Sequence, residues 1–166
     1  MLHVGLVDDM VSTLEAILKN KSVSILAAGN ELRGDDFIGP YIARRLKEHG
    51  LRNVIDGDLS PESFIDLAIK NSPDILLIID AIEAGLKPGT LVFGELSEIV
   101  ESEIVVPTTH KPSYSLIQIY VKYRSPKTQC FFLGVQVSNV NFGAKMSPEI
   151  MNVGDELVKV LSNILK

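Results

Sequence analysis

Three polar segments, each following an apolar run, carry the side chains best suited to chemistry. The first is Gly29-Asn30-Glu31-Leu32-Arg33-Gly34-Asp35-Asp36, the second is Asp80 at the end of Ile-Leu-Leu-Ile-Ile, and the third is Thr108-Thr109-His110. Carboxylates with an imidazole suit nickel, zinc and similar divalent ions. Gly29 and Gly34 have four residues between them, as in a phosphate-binding loop, but two aspartates follow where such a loop has Lys and Ser/Thr. Those aspartates repel phosphate and attract a cation. Each candidate also has a plainer reading: Asp35 and Asp36 as helix caps, Asp80 as a partner of neighbouring backbone amides, and His110 as a cap of the helix that follows it. His3 and His49 read as surface residues. His-Glu-x-x-His and Gly-x-Ser-x-Gly are both absent. Cys130, inside the strand pattern Cys-Phe-Phe-Leu-Gly-Val, reads as core. Hydrolytic chemistry here would therefore use Asp, His or a metal.

These segments form one site only if the elements before them end at one edge. Apolar strands are expected at Ser22 to Ala28, Asn53 to Ile55, Asp74 to Ala81, Leu91 to Phe93 and Cys130 to Val137. Helices are expected over 9–20 and 37–48, from Ser60-Pro61-Glu62 onward, over Ser113 to Arg124, and over Pro148 to Lys166. Alternation of this kind predicts a single three-layer α/β domain over 1–166, with a helical extension over 1–21 and a core over 22–166. Its mostly parallel twisted sheet would have about five strands with helices on both faces. Asp74 to Ile79, apolar on both strand faces, belongs in its middle. Ligands of such sheets bind beyond the C-terminal strand ends, where the three segments would deliver their carboxylate and imidazole groups.

Composition narrows the class. A length of 166 residues, 46% hydrophobic and 22% charged, suits one globular domain. The net charge of −5, with no basic run, argues against nucleic acid. One cysteine and an acidic N-terminal stretch favour a reducing, cytoplasmic setting. The longest apolar run, Ile75 to Ile79, is too short to span a bilayer.

The run Gly29-Asn30 … Gly34-Asp35-Asp36 … Gly39-Pro40, the strand-end Asp80-Ala81 and Thr108-Thr109-His110 together resemble the nickel–iron hydrogenase maturation endopeptidases. The turn Gly85 to Gly89 and Phe132-Leu133-Gly134-Val135-Gln136 add to the likeness, which spans Ser22 to Lys166. The resemblance implies a protease that removes the C-terminal extension of a hydrogenase large-subunit precursor once nickel is installed. It implies that Asp36, Asp80 and His110 act on nickel held by the substrate, supported by the loop residues Gly29, Asn30, Gly34, Asp35 and Gly39. The family commonly has proline where Val137 stands, and the helix before Ser22 is an addition to shorter relatives. Two other functions compete: a nickel-dependent module that checks the loaded precursor without cutting it, and a nucleotide-binding protein using the Gly29/Gly34 loop.

Overall fold

A computed structural model describes residues 1–107 and 111–166. In chain order the elements are β1 (His3–Gly5), α1 (Val7–Leu18), β2 (Val23–Ala27), α2 (Ile38–Glu48), β3 (Val54–Asp56), α3 (Ile65–Ala68), β4 (Ile75–Ile82), β5 (Leu91–Glu95), α4 (Leu96–Glu101), α5 (Lys111–Arg124), β6 (Gln129–Gln136) and α6 (Pro148–Leu165). Single 3₁₀ turns, Gly34–Phe37 and Pro61–Phe64, lead into α2 and α3.

The strands form one sheet in the order β1-β5-β6-β4-β2-β3. β4 lies inside it, paired in parallel with β2 and β6, as its double-sided apolar run requires. Its side chains alternate between two cores. Ile75, Leu77, Ile79 and Ala81 pack with buried residues of α1, α2 and α6. Leu76, Ile78 and Ile82 pack with those of α3, α4 and α5. The helices are built for these faces: α6 buries Ile150, Leu157, Val158 and Leu161 along one stripe, and α2 buries Ile38, Ile42, Ala43 and Leu46.

The sheet departs from expectation at one side. It has six strands, and β1 and β5 run antiparallel. β5 follows β4 after the turn containing Gly85 and Gly89, both at positive φ, and pairs with β6 rather than β4. The first 21 residues are not helical throughout, because His3, Val4 and Gly5 add β1 to the edge beside β5. α1 packs into the core through Met10, Leu14 and Leu18. The helix after Ser60 is only a 3₁₀ turn and the single turn α3, and α4 was not foreseen.

One topological feature positions the site. α2 carries the chain from β2 to β3 on one face, whereas the route back from β3 to β4 uses α3 on the other. β2 leads on to β3 at one side and β4 leads on to β5 beyond β6 at the other, so the chain leaves their neighbouring C-terminal ends in opposite directions along the sheet, at the crevice where ligands of such sheets bind. α2 closes tightly on that crevice at Gly39. A Cβ there would lie 2.2 Å from the Ala28 carbonyl oxygen and 2.9 Å from that of Ile79. Both obstacles are backbone, so neither can rotate away. Gly39→Ala should therefore destabilise the protein by about 1–3 kcal/mol, read as a lower urea midpoint. A wild-type midpoint would show that α2 can retreat from the strand ends without loss.

Candidate functional site

The loop after β2 is folded by its own backbone. The Asn30 amide donates to the Asp36 carbonyl (3.1 Å), Arg33 N–H to the Asn30 carbonyl (3.1 Å) and Asp36 N–H to the Arg33 carbonyl (3.1 Å). The Asn30 side chain accepts from the Leu32 amide at 2.9 Å. Gly29 permits this closure, since a Cβ there would meet the Asp36 carbonyl oxygen at 2.1 Å. Gly34, at φ +53°, sits against the Asn139 carbonyl, which a Cβ would approach to 2.3 Å.

Asp35 and Asp36 are both buried, and their surroundings differ completely. Asp35 Oδ2 accepts from the Ser138 amide (2.8 Å), the Asn139 amide (2.8 Å) and Ser147 Oγ (2.9 Å), while Oδ1 accepts from the Ser147 amide (2.6 Å). It fastens the loop after β2 to the segment between β6 and α6. Neither aspartate caps α2, whose start has no side-chain cap.

Both carboxylate oxygens of Asp36 are buried without a hydrogen-bond partner among the described residues. Burial pushes this carboxyl from its ordinary 3.8 up to about 7, and the Arg33 guanidinium and Asn30 amide offset only part of the rise. Native proteins seldom leave buried polar atoms unpaired. A carboxyl in this state is nearly half protonated at neutral pH, and a cation reaching it would stabilise the ionised form.

Asp80 lies on β4 opposite Gly134 of β6, one residue beyond the last β4 pairing with β2, Ile79 with Ala27. Its Oδ1 accepts from the Ala81 amide (2.7 Å) and its Oδ2 from the buried Tyr114 hydroxyl (2.5 Å). The neighbouring-amide reading of Asp80 is thus correct for one oxygen. Tyr114 was missed in the sequence because it reads as one more apolar position of an amphipathic helix. Its ring does pack that way, edge-on to Phe132 at 5.4 Å. Only the position of α5 over the end of β4 brings its hydroxyl to a carboxylate. These hydrogen bonds orient the Asp80 carboxylate.

His110 lies outside the described residues, as do Thr108 and Thr109. The chain on either side is anchored at the same sheet edge. Val105 and Glu83, just beyond β4, exchange backbone hydrogen bonds of 2.7 and 3.0 Å, and Tyr114 in the first turns of α5 binds Asp80. Among the described residues no three His, Cys, Asp or Glu side chains gather as a metal site would require. The 3₁₀ turn bearing Asp36 packs against β4, the strand that carries Asp80.

Gln136 organises the turn beside Asp80. Its Oε1 accepts from the Ala84 amide (2.8 Å) and the Leu86 amide (3.3 Å), and its Nε2 donates to Glu83 (2.5 Å) and to the Val137 carbonyl (3.0 Å). The Val137 amide donates to the Ile82 carbonyl at 3.2 Å, a bond that proline would forfeit, so valine here extends the pairing of β6 with β4. Cys130 is partly buried rather than fully core, and burial pushes its thiol up to about 12. It pairs in register with Leu76, near the opposite end of β4 from Asp80.

Comparison with known proteins agrees with this arrangement. The family profile HycI, described as hydrogenase maturation protease, matches residues 38–164. The Hydrogenase 3 maturation protease of Escherichia coli K12 is 32% identical over 128 residues, covering 76% of this chain and 80% of its own. The crystal structure of a [NiFe] hydrogenase maturation protease, HycI from Thermococcus kodakarensis, shares the fold at 24% identity, with a TM-score of 0.77 over 92% of this chain and 98% of that one. HybD from the same organism gives a TM-score of 0.71 at 27% identity, over 87% and 99% of the two chains. A profile match across most of the chain, together with a relative 32% identical over 76% of it, places the chain in the hydrogenase maturation protease family.

Proposed function

We propose that this protein is an endopeptidase that removes the C-terminal extension of a [NiFe]-hydrogenase large-subunit precursor, and that it recognises nickel carried by that precursor through Asp36, Asp80 and His110. The observation that carries the reading is the Asp36 carboxylate, buried with neither oxygen hydrogen-bonded among the described residues. Such a group is a cation ligand in waiting, and oxygen and imidazole donors are compatible with nickel. Asp80, oriented by Tyr114 and the Ala81 amide, supports the same reading from β4. On this reading the nickel arrives with the substrate, and a bound divalent ion polarises a carbonyl or activates water.

The chain's own groups have distinct tasks on this reading. Asp36 and Asp80 supply negative charge at fixed positions, and a neutral His110 supplies a nitrogen donor. Gly29, Asn30, Gly34, Asp35 and Gly39 hold the loop so that Asp36 stays at the crevice. No serine or cysteine nucleophile is invoked, and the high pKa of Cys130 and its position agree with that. The Asp35-Asp36 pair gives the Gly29/Gly34 loop no role with phosphate, so the nucleotide reading has no support.

The primary test is incubation of the protein with nickel-loaded and nickel-free precursor, followed by mass measurement of the product. Loss of the extension from the loaded form alone is expected. A loaded precursor that binds at unchanged mass would replace the protease with a checkpoint module. Asp36→Asn should lower cleavage by at least about 100-fold, from the loss of a charge acting at the reacting centre. Cleavage at the wild-type rate would remove Asp36 from the site.

The same variant should change the pH dependence of folding. The Asp36 carboxyl rises from 3.8 in the unfolded chain to about 7 in the folded one. Its contribution to stability is therefore fully present below the lower value and is lost as pH rises through the higher. Urea midpoints of metal-free wild type should fall over that window by the equivalent of a few kcal/mol relative to Asp36→Asn. Parallel profiles would mean that the carboxylate is compensated. Thiol-alkylating reagents near neutral pH should leave cleavage intact, since so little Cys130 is thiolate there. Rapid inactivation that Cys130→Ala abolishes would require a different mechanism.

A further inference from the structure

We infer that Leu32 and Phe142, presented by two loops locked together beside Asp36, form the ledge that grips apolar side chains of the polypeptide being processed. Leu32 is 57% exposed and Phe142 78% exposed, although most large apolar residues of the chain are buried. Single exposed apolar residues need no explanation. Here two come from segments more than 100 residues apart and meet through the Gly143 amide, which donates to the Leu32 carbonyl at 2.7 Å. Gly143 stands next to Phe142 at φ +83°.

The bonds that hold this contact are unusually many for two surface loops. Gly34 N–H donates to the Ala144 carbonyl (3.1 Å), Asp35 N–H to the Asn139 carbonyl (2.8 Å) and Arg33 Nε to the Val140 carbonyl (3.2 Å). The Asp35 carboxylate adds its bonds to Ser138, Asn139 and Ser147. Loops so braced lose little conformational freedom when a partner arrives, the condition under which exposed apolar side chains bind most effectively. Of the residues the brace displays, Leu32 and Phe142 are the large apolar ones left exposed.

The occupant follows from the family and from position. A maturation protease must receive a polypeptide, and Leu32 lies four residues before Asp36 on the same hydrogen-bonded loop. Leu32 and the Phe142–Gly143 turn thus border the loop that carries Asp36, where a chain reaching Asp36 would meet them. The chemistry is that of a segment with apolar side chains next to the cleaved bond. This assignment rests on the reading of Asp36 as part of the reacting centre.

The test measures equilibrium binding and steady-state cleavage of nickel-loaded large-subunit precursor by wild type, Leu32→Ser, Phe142→Ser and the double variant. Because both side chains are exposed, the variants should fold, and unchanged melting temperatures check this. Each single variant should raise Kd and KM about 10-fold, the effect of withholding one large apolar contact, and Phe142→Leu should restore most of the loss. Unchanged Kd in the double variant would overturn the ledge while leaving the Asp36 reading standing. If wild type binds the precursor without cutting it, the protease reading fails and the Kd series still decides the ledge. If wild type does not bind the precursor, both fail.

Discussion

Two adjacent carboxylates share one turn and one degree of burial, and the hydrogen bonds around them assign their roles. Asp35 accepts four, so its burial is compensated, and it joins segments more than 100 residues apart in the chain. Asp36 has none on its carboxylate among the described residues, and its pKa rises accordingly. The first is the reason the second can be held. An unpaired buried carboxylate is unfavourable by itself, and a loop free to move would turn it toward water. The Asp35 clamp, the Asn30 turn and the close approaches at Gly29 and Gly34 together remove that escape.

The sheet explains why the clamp lies where it does. β2 and β4 are parallel neighbours whose chains lead on in opposite directions along the sheet, β2 to β3 and β4 to β5 beyond β6, which makes their adjacent C-terminal ends the switch point of the fold. α2 approaches that space as closely as glycine allows, with Gly39 against the carbonyls of Ala28, just past β2, and of Ile79, the last β4 residue paired with β2. Asp80 lies on β4, and Tyr114 ties it to α5, so both core layers contribute to one edge.

Much of this was legible in the residues. The continuous apolar run of β4 specified an interior parallel strand, and its terminal aspartate specified the edge to inspect. Single aspartates after strands carry such information because the strand end fixes their depth. Other features depend on pairings that no local pattern encodes. β1 is three residues with only one even partly buried, and Leu91–Glu95 reads the same whether parallel or antiparallel. Its direction was settled by the turn with Gly85 and Gly89, which returns the chain beside β6. Asp35 resembles a cap in sequence because its partners, Ser138, Asn139 and Ser147, lie at the far end of the chain. Tyr114 resembles core because its ring is core, and only the fold brings its hydroxyl to Asp80.

The raised pKa of Asp36 links the site's electrostatics to substrate choice on the proposed reading. Near neutral pH a fraction of the protein holds Asp36 protonated and neutral, which moderates the penalty of leaving it unpaired in the free state. A precursor without metal offers that group no cation, and docking would only deepen the burial of a carboxylate that has no partner among the described residues. A precursor carrying a divalent ion reverses the balance, since the ion favours the ionised carboxylate and releases its proton. Discrimination between loaded and empty precursor then needs no moving part. It follows from burying one carboxylate where no described donor satisfies it, and from a scaffold stiff enough to keep it there.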